Sequence, residues 1–146
     1  MNADILIVDD DSDHLELCAL ALEGACDRVA TASSGAQALA QLRACEPQDL
    51  PRLLILDVKM GYESGLDLLR DLRADAGLSH LPVVMYSCSS DERDVASSYL
   101  LGANAYLVKR SDLGDMRQVL GAAYRTWALP APAATGTAPV HPAAAG

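Results

Sequence analysis

Five short apolar runs, each followed by a stretch of helical periodicity, constrain this chain more than any other feature of it. The runs occupy residues 5–8 (ILIV), 28–30 (RVA), 53–56 (LLIL), 82–86 (PVVMY) and 105–108 (AYLV). Strands that alternate with helices predict βα units and a mostly parallel sheet. Runs one, three and four are apolar throughout, the pattern of central strands covered on both faces. The second is weaker and reads as an edge. A chain of 146 residues, 51% of them apolar, is long enough to close one such domain around a buried core.

The helical stretches have readable starts and faces. Ser34 with Gln37, and Ser89 with Glu92, match the capping box, in which the two side chains satisfy free backbone N–H groups at a helix start. Leu15, Cys18 and Leu22 predict the buried stripe of the first helix, and Leu66, Leu69 and Leu72 that of the third. The last helix carries Leu113, Met116, Leu120, Ala123 and Trp127 at helical spacing. From Ala128 the composition changes: Pro130, Pro132, Pro139 and Pro142 are four of the chain's seven prolines, set among Ala, Gly and Thr. Residues 1–127 are therefore expected to form the domain, and 128–146 a Pro/Ala-rich arm.

Charge narrows the partners. Twenty acidic residues against eleven basic ones give −9 at pH 7. That balance repels nucleic-acid phosphates, and no basic stripe with interleaved aromatics appears, so nucleic acid is not an expected partner. No apolar run approaches the ~20 residues that span a bilayer, and the first residues lack the basic and apolar segments of an export signal. A cytoplasmic protein without a membrane partner is expected. Cys18, Cys26, Cys45 and Cys88 show no C-x-x-C pairing, and three of them sit in or beside apolar segments, where cysteine behaves as a small hydrophobe.

Acidic residues mark the ends of two runs. The first exits into Asp9-Asp10-Asp11-Ser12-Asp13, and the third ends at Asp57. In open α/β sheets, ligands bind outside the carboxyl ends of the strands, where the winding reverses. If strands one and three are neighbours, Asp9, Asp10 and Asp57 converge. Two carboxylates ~4 Å apart repel by about 4 kcal/mol at an effective dielectric of ~20, so three demand a cation. Oxygen ligands with room for water and phosphate suit Mg²⁺. A solvated acidic turn capping the first helix is the plainer alternative for the Asp run alone. An EF-hand loop fails, because His14 stands where glycine is required and Leu20 where the bidentate glutamate is required. Ser87 closes the fourth run and Lys109 the fifth, supplying a hydroxyl and a cation for a phosphoryl group's oxygens.

The segments ILIVDD (5–10), LLILDVKM (53–60), LPVVMYS (81–87) and GANAYLVK (102–109) resemble the receiver domains of two-component response regulators. The resemblance covers residues 4 to 127. It implies a flavodoxin-like (βα)5 fold, doubly wound, with a five-stranded parallel sheet in the order 2-1-3-4-5. It also implies that Asp57 accepts a phosphoryl group from a histidine kinase, with Asp9, Asp10, Asp57 and the Lys59 carbonyl around Mg²⁺. Asp9 would act through water. Ser87 and Tyr106 take the family's switch roles, and Lys109 takes that of the phosphate-binding lysine. The output would be phosphorylation-dependent contact with a downstream protein, or phosphorelay.

Two positions depart from the family pattern. Met60 is followed by Gly61-Tyr62 rather than Pro-Gly, and Lys109 by Arg110 rather than proline. Without proline a cis bond costs roughly 2.5–4 kcal/mol, so Lys109–Arg110 is expected to be trans. The stretch from Lys109 to Ala131, with Trp127 and Leu129-Pro130, is similar to the stand-alone regulators associated with bacterial and cyanobacterial phytochrome kinases. An aspartyl-phosphate phosphohydrolase is the alternative of different class, but Lys59 stands where its second acid belongs. A flavodoxin-like cofactor binder lacks a glycine-rich cradle. Tyr106, Val119, Tyr124 and Trp127 leave apolar surface near the last strand and helix, from which a homodimer with a contribution from the arm is expected.

Overall fold

The computed structural model describes residues 2–129. Five parallel strands, β1 (Ile5–Val8), β2 (Val29–Ala32), β3 (Leu53–Leu56), β4 (Val83–Ser87) and β5 (Ala105–Val108), lie in the order β2-β1-β3-β4-β5. The expected order is found. Helices α1 (Ser12–Leu22), α2 (Gly35–Arg43), α3 (Gly65–Ala74), α4 (Glu92–Leu100) and α5 (Leu113–Ala123) connect or follow them. The segment 128–146 assigned to an arm falls almost wholly outside the described residues.

Strand alternation explains why both sheet faces are dry. Successive side chains of a strand point to opposite faces. Leu6, Val8, Leu54, Leu56, Val83 and Met85 pack with Leu42, Leu68, Leu69 and Leu72 of α2 and α3. Ile5, Ile7, Leu53, Ile55, Val84 and Tyr86 pack on the other face with Leu15, Cys18, Leu22, Met116 and Leu120 of α1 and α5. Burying a leucine or isoleucine side chain is worth about 1.5–3 kcal/mol, so these two layers carry most of the fold's stabilisation.

Local differences have physical causes. The second strand begins at Val29 and runs to Ala32, two residues beyond the expected end, because it pairs through its whole length with β1. In α3, Leu68 is buried with Leu69 and Leu72, while Leu66 is only half-buried at the helix start. Ser34 caps α2 as expected, but the Gln37 side chain turns back to Ser33. Ser89 does not cap α4; Asp91 does, and Ser89 Oγ accepts from the Asp91 N–H instead. Cys18 and Cys26 are buried, Cys45 is half-buried and Cys88 exposed, all with free thiols. Burial pushes the Cys18 thiol up to about 12. Among the described residues no peptide bond is cis, so Lys109–Arg110 is trans. No described helix is long and apolar enough to cross a membrane.

Candidate functional site

Sheet register delivers the polar residues to one edge. Val8 pairs with Leu56, so Asp9 and Asp57 leave their strands side by side. Leu56 pairs with Met85, and Ser87 with Val108, which places Ser87 and Lys109 progressively further along the same rim. Asp11 ends the acidic turn: its Oδ1 accepts from the N–H groups of Asp13 and His14 at 3.0 and 3.2 Å, the N-cap of α1. The acidic run is thereby divided, with Asp11 and Asp13 committed to the helix and Asp9 and Asp10 turned to the rim.

Lys109 is the centre of the charge balance. Its Nζ donates to Asp9 Oδ2 and to Asp57 Oδ2, both at 2.8 Å. Asp9 is 2% exposed and Asp57 8%. Burial works against the ionised form of Asp9. Hydrogen bonds from His14, Lys109 and the Asp11 N–H, together with the Lys109 charge, outweigh it and hold the carboxyl well below the usual carboxylate range. Burial likewise disfavours the Lys109 cation, yet its bonds to Asp57 and Asp9 raise its pKa above the ordinary lysine value.

Asp10 is exposed and, among the described residues, pairs with no cation. Desolvation first, and then the Asp9 charge, push its carboxyl up. Asp9, Asp10 and Asp57 each offer a carboxylate oxygen, all within 4.8 Å of one another. Three hard oxygen donors with one lysine between two of them fit a small divalent cation such as Mg²⁺.

The remaining candidates line the rim. Lys59 approaches through its backbone, its N–H donating to Asp57 Oδ1 at 3.3 Å, while its Nζ stands 4.0 Å from Asp94. Ser87 is buried, and its Oγ accepts from the Ser89 N–H at 3.2 Å. Tyr106 is half-buried on β5; its hydroxyl donates to the Ser89 carbonyl at 2.8 Å. The two switch positions that the resemblance implies, Ser87 and Tyr106, thus meet at one residue, Ser89.

Three contributors were not singled out from the sequence. A Cβ on Gly65 would sit 1.9 Å from the Asp57 carbonyl oxygen, so only glycine lets α3 begin against that backbone. His14 Nδ1 lies 2.9 Å from Asp9 Oδ2, and the Tyr86 hydroxyl accepts from the Arg110 N–H at 3.2 Å. His14 occupies the third helical position, from which a side chain can reach back over the preceding loop. That spacing is a usable sequence signal. Gly65 and Tyr86 carry none.

Comparison with known proteins gives a consistent picture. A family model described as the response regulator receiver domain matches residues 5–121. The DNA-binding response regulator MtrA of Mycobacterium tuberculosis is 35% identical over 109 residues, covering 75% of this chain and 45% of MtrA. The chain thus spans about half the length of that relative. The probable methanogenesis regulatory protein FilR2 of Methanothrix harundinacea is 28% identical, covering 84% of this chain and 82% of FilR2. Among solved structures, the phosphorylated cyanobacterial phytochrome response regulator RcpA matches with TM-score 0.76 and 28% identity, over 87% of this chain and 94% of RcpA. A response regulator in red light signalling of R. palustris matches with TM-score 0.72 and 25% identity, over 84% and 92%.

Proposed function

The chain belongs to the response regulator receiver family, and from that membership we propose that Asp57 is its phosphoacceptor. Lys109 bridging Asp9 and Asp57, with Asp10 and Ser87 on the same rim, is the observation that carries this reading. In the proposed transfer an Asp57 carboxylate oxygen attacks the phosphorus of a kinase phosphohistidine. A P–O bond forms as the P–N bond breaks, and the imidazole leaves with the bonding pair and is protonated by solvent. Lys109 turns from the carboxylates to a phosphoryl oxygen, and Ser87 Oγ donates to a second.

Asp9, Asp10, Asp57 and the Lys59 carbonyl would hold Mg²⁺, Asp9 through water. The ion would screen the carboxylates and neutralise charge on the phosphoryl oxygens. Movement of Ser87 toward the phosphoryl group would displace Ser89, whose carbonyl holds the Tyr106 hydroxyl. That couples the modified aspartate to the β5 surface and so to a downstream protein or a phosphorelay partner. In this scheme the protein catalyses only its own phosphorylation and dephosphorylation, with the phosphohistidine as donor.

The likeness to RcpA and to the red-light regulator supports a phytochrome-type histidine kinase as donor. A cytoplasmic location and a homodimer, with residues 128–146 contributing as an arm beyond the domain 1–127, belong to the same reading. Full-length protein and its Asp57→Asn variant, incubated with acetyl phosphate with and without Mg²⁺, test the assignment by intact mass. One phosphoryl adduct on wild type, dependent on Mg²⁺ and missing from the variant, is expected. Equal adducts on both proteins would remove Asp57 from its role.

A further inference from the structure

Behind the acidic rim lies a pair of side chains that the transfer scheme does not use. His14, in the first turn of α1, directs Nδ1 at Asp9 Oδ2 at 2.9 Å; with a carboxylate as acceptor, Nδ1 carries the hydrogen. Its Nε2 is buried and finds no hydrogen-bond partner among the described residues, so the ring's one polar bond of consequence is the one to Asp9. A long contact from Nδ1 to Cys18 Sγ, 3.6 Å, adds little. The ring rests on Tyr86, with centroids 5.7 Å apart and planes inclined by 33°. Tyr86 is 2% exposed, and its hydroxyl accepts from the N–H of Arg110, the residue directly after Lys109. Only a residue other than proline can supply that N–H. A single apolar-backed unit therefore touches both flanks of the site, Asp9 on one side and the Lys109 backbone on the other.

We propose that His14 and Tyr86 are positioning residues for phosphoryl transfer: His14 holds Asp9 in place when Lys109 leaves it for the phosphoryl group, and Tyr86 holds the backbone that aims Lys109. The inference rests on the reading of Asp57 as phosphoacceptor. Its physical basis is that Asp9 Oδ2 shares two donors, Lys109 Nζ and His14 Nδ1. When the lysine turns away, a carboxylate with almost no exposure keeps the His14 bond and the Asp11 N–H on Oδ1 at 3.0 Å. Without His14 the departure of Lys109 would leave Asp9 Oδ2 with no protein donor in a desolvated place, which opposes the turn. The Arg110–Tyr86 bond does for the following backbone what a rigid ring at position 110 would otherwise do.

The test has a kinetic arm and a chemistry-free arm, both on the full chain. The rate of Asp57 phosphorylation by acetyl phosphate is measured with saturating Mg²⁺ for wild type, His14→Phe, His14→Asn, Tyr86→Phe and Arg110→Ala. Amide exchange at Arg110 is followed by NMR in wild type and Tyr86→Phe. His14→Phe keeps the packing and loses the donor, and a rate about tenfold lower is expected. His14→Asn, which returns an N–H near the Nδ1 position, is expected to recover most of that loss. Tyr86→Phe should slow transfer several-fold and speed Arg110 exchange at least tenfold. Arg110→Ala, which keeps the backbone donor, should match wild type in rate. A His14→Phe rate equal to wild type, or a His14→Asn rate as low as that of His14→Phe, overturns the role of His14. Unchanged Arg110 exchange in Tyr86→Phe overturns the role of Tyr86. That variant lacks a single oxygen, so its arm stays readable if His14→Phe does not fold. If wild type itself takes up no phosphoryl group, the acceptor assignment of Asp57 fails, while the exchange arm still decides whether Tyr86 holds the loop.

Discussion

Asp10 is the carboxylate of the cluster that lacks a cation among the described residues, which makes it the point where metal should be felt most. In EDTA, Asp10→Asn is expected to raise the thermal midpoint, since it removes a like-charge neighbour of Asp9. Added Mg²⁺ should stabilise wild type by about 2.7 kcal/mol at a hundredfold excess over Kd, raising its midpoint, and leave the variant nearly unmoved. Differential scanning calorimetry with and without the ion reads both effects, and an equal Mg²⁺ response from the two proteins would contradict the ligand assignment. Asp9 behaves in the opposite sense. Its folded carboxyl ionises well below the ordinary value of 3.8, so in acid the unfolded chain binds more protons than the folded one. The stabilisation is complete above that ordinary value and is lost as pH falls toward the folded one. Lys109, held above 10.5, stabilises at all lower pH and loses its contribution only as pH rises beyond that. Urea unfolding in EDTA between about pH 2 and pH 5 should show a shallower acid decline for Asp9→Asn than for wild type. A steeper one would mean that other carboxylates govern the acid limb.

At the scale of elements, most boundaries were legible because the sheet is central and dry. Residues 5–8, 53–56 and 82–86 are apolar without a break, and a strand covered on both faces leaves that mark. The edge strand β2 was legible in kind but not in extent, since Thr31 is polar and Ala32, though buried in the core, is too small to mark a strand by itself. Ser89 misled as a helix start because Asp91, two residues on, is the better cap and Ser89 is drawn into the loop between Ser87 and Asp94. Of the site, the residues at strand ends were readable from order and chemistry. Gly65 and Tyr86 were not, because each acts through a close approach that depends on how two segments meet in space. The same holds for Arg73 at the end of α3. Its guanidinium donates to the carbonyls of Ser79, Leu81 and Gly102 and to Asn104 Oδ1, and Asn104 Oδ1 also accepts from the N–H of Val83. This clamp joins α3 to the entries of β4 and β5. Arg73→Met should cost about 2–3 kcal/mol, because it strips charged donors from several partly buried acceptors. Chemical denaturation measures it, and a loss under about half a kcal/mol would show that water replaces the clamp freely.

Over the whole molecule, two apolar layers fix the sheet, and the sheet fixes the rim. The α1 and α5 side and the α2 and α3 side are each anchored by alternate residues of the same three central strands, so the positions of Asp9, Asp57 and Ser87 are inherited from core packing. The far edge is looser: α4 buries only Ser98, and Val108 on β5 is exposed. Ala105, Leu107, Val119, Ala123 and Trp127 line a shallow apolar groove between β5 and α5. A second copy of the chain on this face is the expected occupant, and light scattering of the full chain at tens of micromolar should give a dimer mass. A monomer there would end that part of the account. In the proposed transfer one aspartate, at the end of β3, carries the phosphoryl group. Borohydride reduction of the phosphorylated full-length protein converts an aspartyl phosphate to homoserine, and tandem mass spectrometry of the digest reads its position. Homoserine is expected at position 57 and nowhere else; homoserine at position 9 or 10 with residue 57 still aspartate would rule out Asp57 as the acceptor.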